Sequence, residues 1–137
     1  MNFTRTVLLK ICVPWGDFEG VNKMGWTLWY ELANKERWYP DNINYDRPVC
    51  YELGIKGKWK QAIIVTYVGK TSNLNVRMGQ YAANGSHLRK YLEKYWKYGY
   101  TLYFRYYPTR NESEANSMEK ERLQKYGLER YPWNTQF

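Results

Sequence analysis

Two kinds of hydrophobic pattern alternate along residues 49–137. Apolar and β-branched residues run almost continuously, or alternate with polar ones, over residues 49–53, 62–68 and 101–107, which predicts three strands. Residues 54–60 contain two glycines and three lysines between the first two of these strands, which is typical of a hairpin loop.

Apolar residues with helical spacing predict three helices in the same part of the chain. The first starts at Ser72 or Asn73, either of which can cap it. The second ends at Gly99, and the third, which follows a capping sequence at residues 111–114, ends at Gly127. The order strand, strand, helix, helix, strand, helix predicts a small α+β domain.

Residues 1–48 give weaker signals and are interpreted as an N-terminal extension of a domain that spans residues 49–137. A β-branched strand is predicted over residues 3–13. Residues 26–33 fit either one or two helical turns or a strand, and residues 40–48 are rich in Asn and Asp, which is typical of a loop.

Length and apolar content narrow the class of protein. The 137 residues suffice for one domain with its own core. They contain no run of about 18 apolar residues that would cross a membrane. The apolar stretch at residues 7–13 is too short for a signal peptide, so we expect a cytoplasmic protein. Cys12 and Cys50 are too distant in sequence for a metal clip and His87 is the only histidine, which argues against a zinc site.

The excess of basic residues is confined to the predicted α+β domain. Lys and Arg number 21 against 13 Asp and Glu, a net charge of +8, and the whole excess lies in residues 49–137 because residues 1–48 balance to zero. Fifteen tyrosines and seven tryptophans accompany this charge. Basic and aromatic residues together suit a surface that binds phosphates and stacks on bases. The same composition fits a soluble basic protein with a large aromatic core, so composition alone leaves both interpretations open.

A set of polar residues then falls in a specific order on the predicted elements. The first strand carries Val-Cys-Tyr ending at Tyr51, and the second ends in Tyr-Val-Gly beginning at Tyr67. Arg77 follows in the first helix, Glu119 in the last helix and Asn134 near the end of the chain. Over about residues 48–137 this order resembles the GIY-YIG nuclease family, above all its small stand-alone phage and restriction-type members.

The resemblance implies a central antiparallel three-stranded sheet flanked by helices, and a metal-dependent DNA endonuclease. Glu119 would hold one divalent cation per active site, Mg²⁺ or Mn²⁺. A single carboxylate suffices because Mg²⁺ keeps several waters and also binds a phosphate oxygen. Arg77 would bind the scissile phosphate with a guanidinium that stays charged at any physiological pH.

The two tyrosines would act on the attacking water. The resemblance implies that Tyr51 is the general base and that Tyr67 supports it or the phosphate. A phenol has a pKa near ~10, so ionising it at neutral pH costs about 4 kcal/mol and needs a nearby cation. Lys70 and Tyr81 are further catalytic candidates, and Asn134 would fix the site by hydrogen bonds.

Basic residues outside this set are expected to contact the DNA backbone, although plain solubilising charge explains them equally well. The expected nucleic-acid contacts are Lys56, Lys58, Lys60, Lys70, His87, Arg89, Lys90 and Lys94. A non-catalytic nucleic-acid-binding domain of the same fold and an unrelated basic interaction domain are the alternatives. The expected partner is double-stranded DNA, with no membrane. One metal site cuts one strand at a time, so double-strand cleavage would need a dimer, a tetramer or two visits.

Overall fold

A four-stranded antiparallel sheet forms the centre of residues 25–32, 47–83 and 85–135, which are the residues that the computed structural model describes. Its strands are β1 (Tyr30–Glu31), β2 (Val49–Lys56), β3 (Ile64–Thr71) and β4 (Thr101–Pro108). They are arranged in the order β1-β4-β2-β3, and each neighbouring pair is antiparallel. Strand β2 therefore has a hydrogen-bonded partner on both sides.

The fourth strand, β1, corrects the expectation of a three-stranded sheet. Tyr30 pairs with Phe104 across β4, and the two rings stack with their centroids 5.5 Å apart. Backbone hydrogen bonds at Thr27 and Leu32 extend the contact beyond the two residues of β1. Within the segment that fitted either helical turns or a strand, Tyr30 and Glu31 therefore form a strand, because the edge of β4 offers them unpaired backbone groups. The α+β class is confirmed, whereas the strand predicted over residues 3–13 lies outside the described residues.

The hairpin between β2 and β3 is shifted along the chain from its predicted place. Strand β2 continues to Lys56, so the expectation of a loop beginning at Gly54 was wrong, and the loop occupies residues 57–63. The register of the β2–β3 pair shifts between Leu53 and Gly54, which marks a bulge. The extra residue is Thr66 of β3, while Gly54 pairs with Val65 of β3 and Tyr103 of β4 and so remains part of β2.

Three helices and a short 3₁₀ helix complete the described fold: α1 (Leu74–Ala82), α2 (Arg89–Lys97), α3 (Glu112–Arg130) and a 3₁₀ helix at Pro132–Thr135. Asn73 caps α1, since its Oδ1 accepts a hydrogen bond from Val76 N at 3.1 Å. Asn111 caps α3 in the same way through Glu114 N, at 2.8 Å. The predicted end at Gly127 is instead a kink with φ of +64°, after which one more turn follows.

The two faces of β2 meet different helices. Val49, Tyr51, Leu53 and Ile55 belong to a core that includes buried residues of α1 and Leu92 of α2. Residues of the opposite face pack against α3 in a smaller cluster that contains Cys50, Val68, Met118, Leu123 and Tyr131. Successive strand residues point to opposite faces, so consecutive residues of β2 serve separate layers.

Two absences hold for the described ranges. They contain no helix that is long and apolar enough to cross a membrane. Within residues 25–32, 47–83 and 85–135, no group of three or more His, Cys, Asp and Glu side chains could hold a metal ion by itself.

Candidate active site

The rings of Tyr51 and Tyr67 lie together on one face of the sheet, with their centroids 6.2 Å apart. Tyr51 pairs with Gly69 across the β2–β3 ladder, and Gly69 shares a face with Tyr67 because the two are two residues apart. A Cβ atom at Gly69 would lie 2.7 Å from the Tyr51 hydroxyl and 2.9 Å from Cε2 of Tyr67. Because Gly69 has no side chain, the rings of Tyr51 and Tyr67 can both pack against its backbone.

Helix α1 supplies two side chains, one turn apart, that reach the Tyr51 hydroxyl. Arg77 Nη1 donates a hydrogen bond to it at 3.2 Å, and the Tyr81 hydroxyl lies 2.6 Å from it. Tyr51 and Tyr81 are fully buried, whereas Arg77 is only partly so. The cap at Asn73 fixes the start of α1, and hence the direction from which Arg77 approaches.

The hydroxyl of Tyr67 faces a different partner. It lies 3.3 Å from Nε2 of His87, within hydrogen-bond distance, and the two ring centroids are 5.8 Å apart. His87 is exposed and stands just before α2. The partial burial of its ring lowers its pKa, and the Arg77 guanidinium lowers it further. The neutral imidazole is therefore the form that this position favours.

Glu119 approaches the same region from α3. Its carboxylate is half-buried, and burial raises its pKa against the opposing effects of Lys70, Lys120 and Arg77. The charge of Glu119 also raises the pKa of Tyr67, which places the carboxylate within electrostatic reach of that phenol. Buried Ala115 precedes Glu119 by one helical turn.

The phenols of the cluster resist ionisation. Burial raises the pKa of Tyr51 well above its ordinary value, and the neighbouring phenols Tyr81 and Tyr67 raise it further. The Arg77 guanidinium opposes this by favouring the charged form. Burial likewise raises the pKa of Tyr67 and of Tyr81. A phenolate here requires more positive charge than Arg77 alone provides.

Asn134 holds the outer edge of β3 at the site. Its Nδ2 donates to the Val68 carbonyl at 2.9 Å, and its Oδ1 accepts from Val68 N at 3.0 Å. Val68 lies between Tyr67 and Gly69 on β3, which is an edge strand of the sheet formed by the described residues, so no strand of that sheet pairs with its outward peptide groups. The buried Asn134 amide takes the place of a neighbouring strand.

The basic residues proposed as DNA contacts divide into two groups. His87 contacts Tyr67, and α2 carries the exposed side chains of Arg89, Lys90 and Lys94 away from it. Lys70 pairs with Cys50 and is exposed on the other face of β3, where it lowers the pKa of Glu119. Arg89 pairs with Glu93 at 3.2 Å. The second group, Lys56, Lys58 and Lys60, lies at the far end of β2 and in the hairpin that follows it.

A second polar cluster escapes the sequence analysis. Glu52, the residue after Tyr51, is fully buried on the opposite face of β2. Its Oε1 accepts from Arg105 Nε at 2.9 Å, and its Oε2 accepts from Arg122 Nη2 at 3.0 Å. The Tyr131 hydroxyl also donates to Oε2, at 2.5 Å, and Arg130 Nε lies 3.7 Å away. The sequence does contain one sign of this cluster: the alternation of residues along β2 puts the Glu52 carboxylate on the face that α3 covers.

Fold and cluster together define a class of protein: an α+β nuclease-type domain that gathers two strand tyrosines and a helical arginine, with a helical glutamate in electrostatic reach of them. The family model of GIY-YIG domain-containing proteins matches residues 21–137, and the chain belongs to this family, whose nucleases are endonucleases that act on DNA. No curated protein and no solved structure matches the chain. The match begins at residue 21 and so includes β1, while the division of the chain at residue 48 stays a prediction.

Proposed function

We propose that this chain is a metal-dependent endonuclease that hydrolyses phosphodiester bonds of double-stranded DNA. The observation that carries the proposal is the direct contact between the Tyr51 hydroxyl, Arg77 and Tyr81, with Tyr67 beside them. The Glu119 carboxylate lies within electrostatic reach of Tyr67. An always-charged guanidinium, a carboxylate and hydroxyls are the groups that phosphodiester hydrolysis needs.

Glu119 fits the role of ligand for one Mg²⁺ or Mn²⁺ per active site. Its carboxylate is half-buried, and its raised pKa means that the surrounding cations do not fully offset the cost of burial. Such a carboxylate gains from a bound cation, and one carboxylate is enough for an ion that keeps waters and takes a phosphate oxygen. The bound cation would neutralise charge that develops on the phosphate and on the leaving oxygen.

Arg77 is the proposed phosphate ligand. Its guanidinium remains charged, is only partly buried, and is held by its hydrogen bond to Tyr51. That bond uses Nη1 and leaves other N–H groups of the fork to donate to phosphate oxygens. Lys70, exposed on β3 one residue after Gly69, adds a second positive charge that acts on the Glu119 carboxylate.

Tyr51 is the proposed general base, which takes the proton of the attacking water on its phenolic oxygen. Its hydroxyl accepts a hydrogen bond from Arg77, an arrangement that favours the phenolate. Burial acts in the opposite direction on its pKa, so the base becomes competent only when further positive charge enters the site. The Tyr81 hydroxyl, 2.6 Å away, can stabilise the phenolate by donating to it.

Glu119→Gln tests the proposal in a plasmid-nicking assay with Mg²⁺. The amide keeps the shape of the side chain but removes the metal-binding charge, so we expect cleavage to fall by at least about 100-fold while DNA binding is retained. Glu121→Gln is the matched control. Glu121 is exposed on the same helix, so we expect this variant to cleave DNA at the normal rate. Binding without any cleavage by the unmodified protein would overturn the proposal and support the non-catalytic alternative.

A further inference from the structure

The tip of the β2–β3 hairpin exposes a large aromatic side chain among positive charges. Trp59 is 87% exposed, the highest value among the large hydrophobic residues of the described chain. Lys58 and Lys60 flank it and are exposed as well. Residues 56–63 contain no Asp or Glu. A tryptophan this exposed within a segment that carries only basic charge indicates a surface for a partner that carries negative charge.

The hairpin tip adjoins the turn between α2 and β4. A Cβ atom at Gly57 would lie 3.5 Å from Cε2 of Tyr100, and one at Gly99 would lie 3.9 Å from Cε of Lys58. Tyr98, in the same turn, is 64% exposed. Lys58, Trp59, Lys60 and Tyr98 therefore form one surface, called here the aromatic tip.

Helix α2 connects the aromatic tip to the candidate active site. Its nine residues span about 14 Å, starting after His87, which contacts Tyr67, and ending next to Tyr98. Its exposed basic side chains form a track between the two ends: Arg89, Lys90, Lys94 and Lys97. Glu93 is the acidic residue of this helix, and it is paired with Arg89.

We infer that the aromatic tip is a second contact with duplex DNA, on one flank of the scissile phosphate, with Trp59 as its apolar anchor. The inference rests on the proposed function for the position of the scissile phosphate. From Tyr51 to Lys56 the strand advances about 17 Å, which corresponds to about five base pairs of DNA. A two-stranded ribbon fits a DNA groove, the lysines meet the phosphates on either side, and the ring contacts sugars and base edges.

The experiment measures DNA binding in EDTA, so it needs no cleavage. Trp59→Ala should raise the Kd for a duplex of about 20 base pairs by about tenfold. It should also shorten the hydroxyl-radical footprint of the protein at one end only. Trp59→Phe should retain most of the affinity. Leu128→Ala is the matched control, because Leu128 is 51% exposed on α3 and should change neither quantity. Circular dichroism confirms that each variant folds.

The outcomes separate this inference from the proposed function. An unchanged Kd and footprint for Trp59→Ala would overturn the inference, even if the protein cleaves DNA. A loss seen with single-stranded DNA but not with the duplex would overturn it as well. A one-sided loss on the duplex supports the aromatic tip, and it does so even if Glu119→Gln shows that the proposed chemistry is wrong.

Discussion

The geometry of single residues explains why Tyr-Val-Gly forms one unit. Tyr67 and Gly69 share a face of β3, and the missing side chain of Gly69 makes room for the ring of Tyr51. The hydroxyl of Tyr51 can then meet Arg77 and Tyr81. The spacing of the motif is thus a packing requirement as well as a chemical one.

Gly69→Ala should damage the site from within. The added methyl carbon would stand 2.7 Å from the Tyr51 ring, so at least one tyrosine must move. We expect a loss of stability of about 1–3 kcal/mol by urea unfolding, together with a larger fractional loss of cleavage. Gly85→Ala is the control, because its nearest neighbour would be the Gln80 carbonyl at an ordinary 3.7 Å. Normal cleavage by Gly69→Ala would contradict this packing account.

The sequence identifies the candidate residues of the active site, but it does not reveal which side chains contact one another there. Tyr51, Tyr67, Arg77 and Glu119 follow from the order of the motif, which names residues on separate elements. The contacts of Tyr51 with Tyr81 and of Tyr67 with His87 depend on how α1 and the start of α2 pack on the sheet. Helix packing follows from many weak contacts at once, and local spacing does not reveal it.

At the scale of elements, the 3₁₀ helix at Pro132–Thr135 completes the edge of the sheet. Asn134 forms two hydrogen bonds with the Val68 peptide groups, so the end of the described chain is attached to the strand that carries Tyr67. Strand β3 is thereby held on both sides, by β2 and by a side-chain amide.

Asn134→Leu should loosen β3. Leucine has a similar volume but leaves the N–H and C=O of Val68 without these partners, which costs about 1–3 kcal/mol per buried group. We expect a lower midpoint of urea unfolding and a lower kcat with a smaller change in DNA affinity. Thr135→Ala, at an exposed position of the same 3₁₀ helix, is the control. Equal stability of Asn134→Leu and the unmodified protein would contradict a structural role for the amide.

The order and type of the elements could be predicted from residue 49 onward, but their limits could not. Gly54 has the sequence character of a turn residue, yet it pairs with Val65 of β3 and Tyr103 of β4 and lies inside β2. Gly127 interrupts the helical geometry of α3 without ending the helix. The local signal around the two-residue β1 fits helical turns as well as a strand, and pairing with the edge of β4 and ring stacking on Phe104 favour the strand.

At the scale of the whole molecule, the buried Glu52 cluster joins parts of the chain that are distant in sequence. Arg105 of β4 and Arg122 of α3 both bind its carboxylate. Their guanidiniums also stack on Trp26, at 4.7 and 4.8 Å from the ring centroid. The Glu52 carboxylate thus links the sheet to α3 directly, and it links both to Trp26 through the two arginines.

Glu52 should make stability depend on pH in the acid range. Burial by itself raises its pKa, but the Arg105 guanidinium, the Tyr131 hydroxyl and Arg122 together hold it below the usual 4.5. A lowered folded-state pKa stabilises the protein above 4.5, and this contribution is lost as pH falls through the folded value.

Glu52→Gln should therefore destabilise the protein by about 3–5 kcal/mol at neutral pH, because the arginines lose their buried counter-charge. The difference from the unmodified protein should shrink as pH drops below 4.5. Urea unfolding across this range measures it. Glu93→Gln, in an exposed pair on α2, should change stability little at any pH. A constant difference at every pH would show that the Glu52 charge is not responsible.

Tyr51 and Glu52 are consecutive residues, and this has a consequence for how the gene can vary. Inserting or deleting one codon after them in β2, between Glu52 and the hairpin, would turn the phenol toward the arginines and bring the carboxylate among the tyrosines. Either change would disrupt both the candidate active site on one face of β2 and the Glu52 ion pairs on the other. We therefore expect relatives of this chain to differ in length at the β2–β3 hairpin but not within β2.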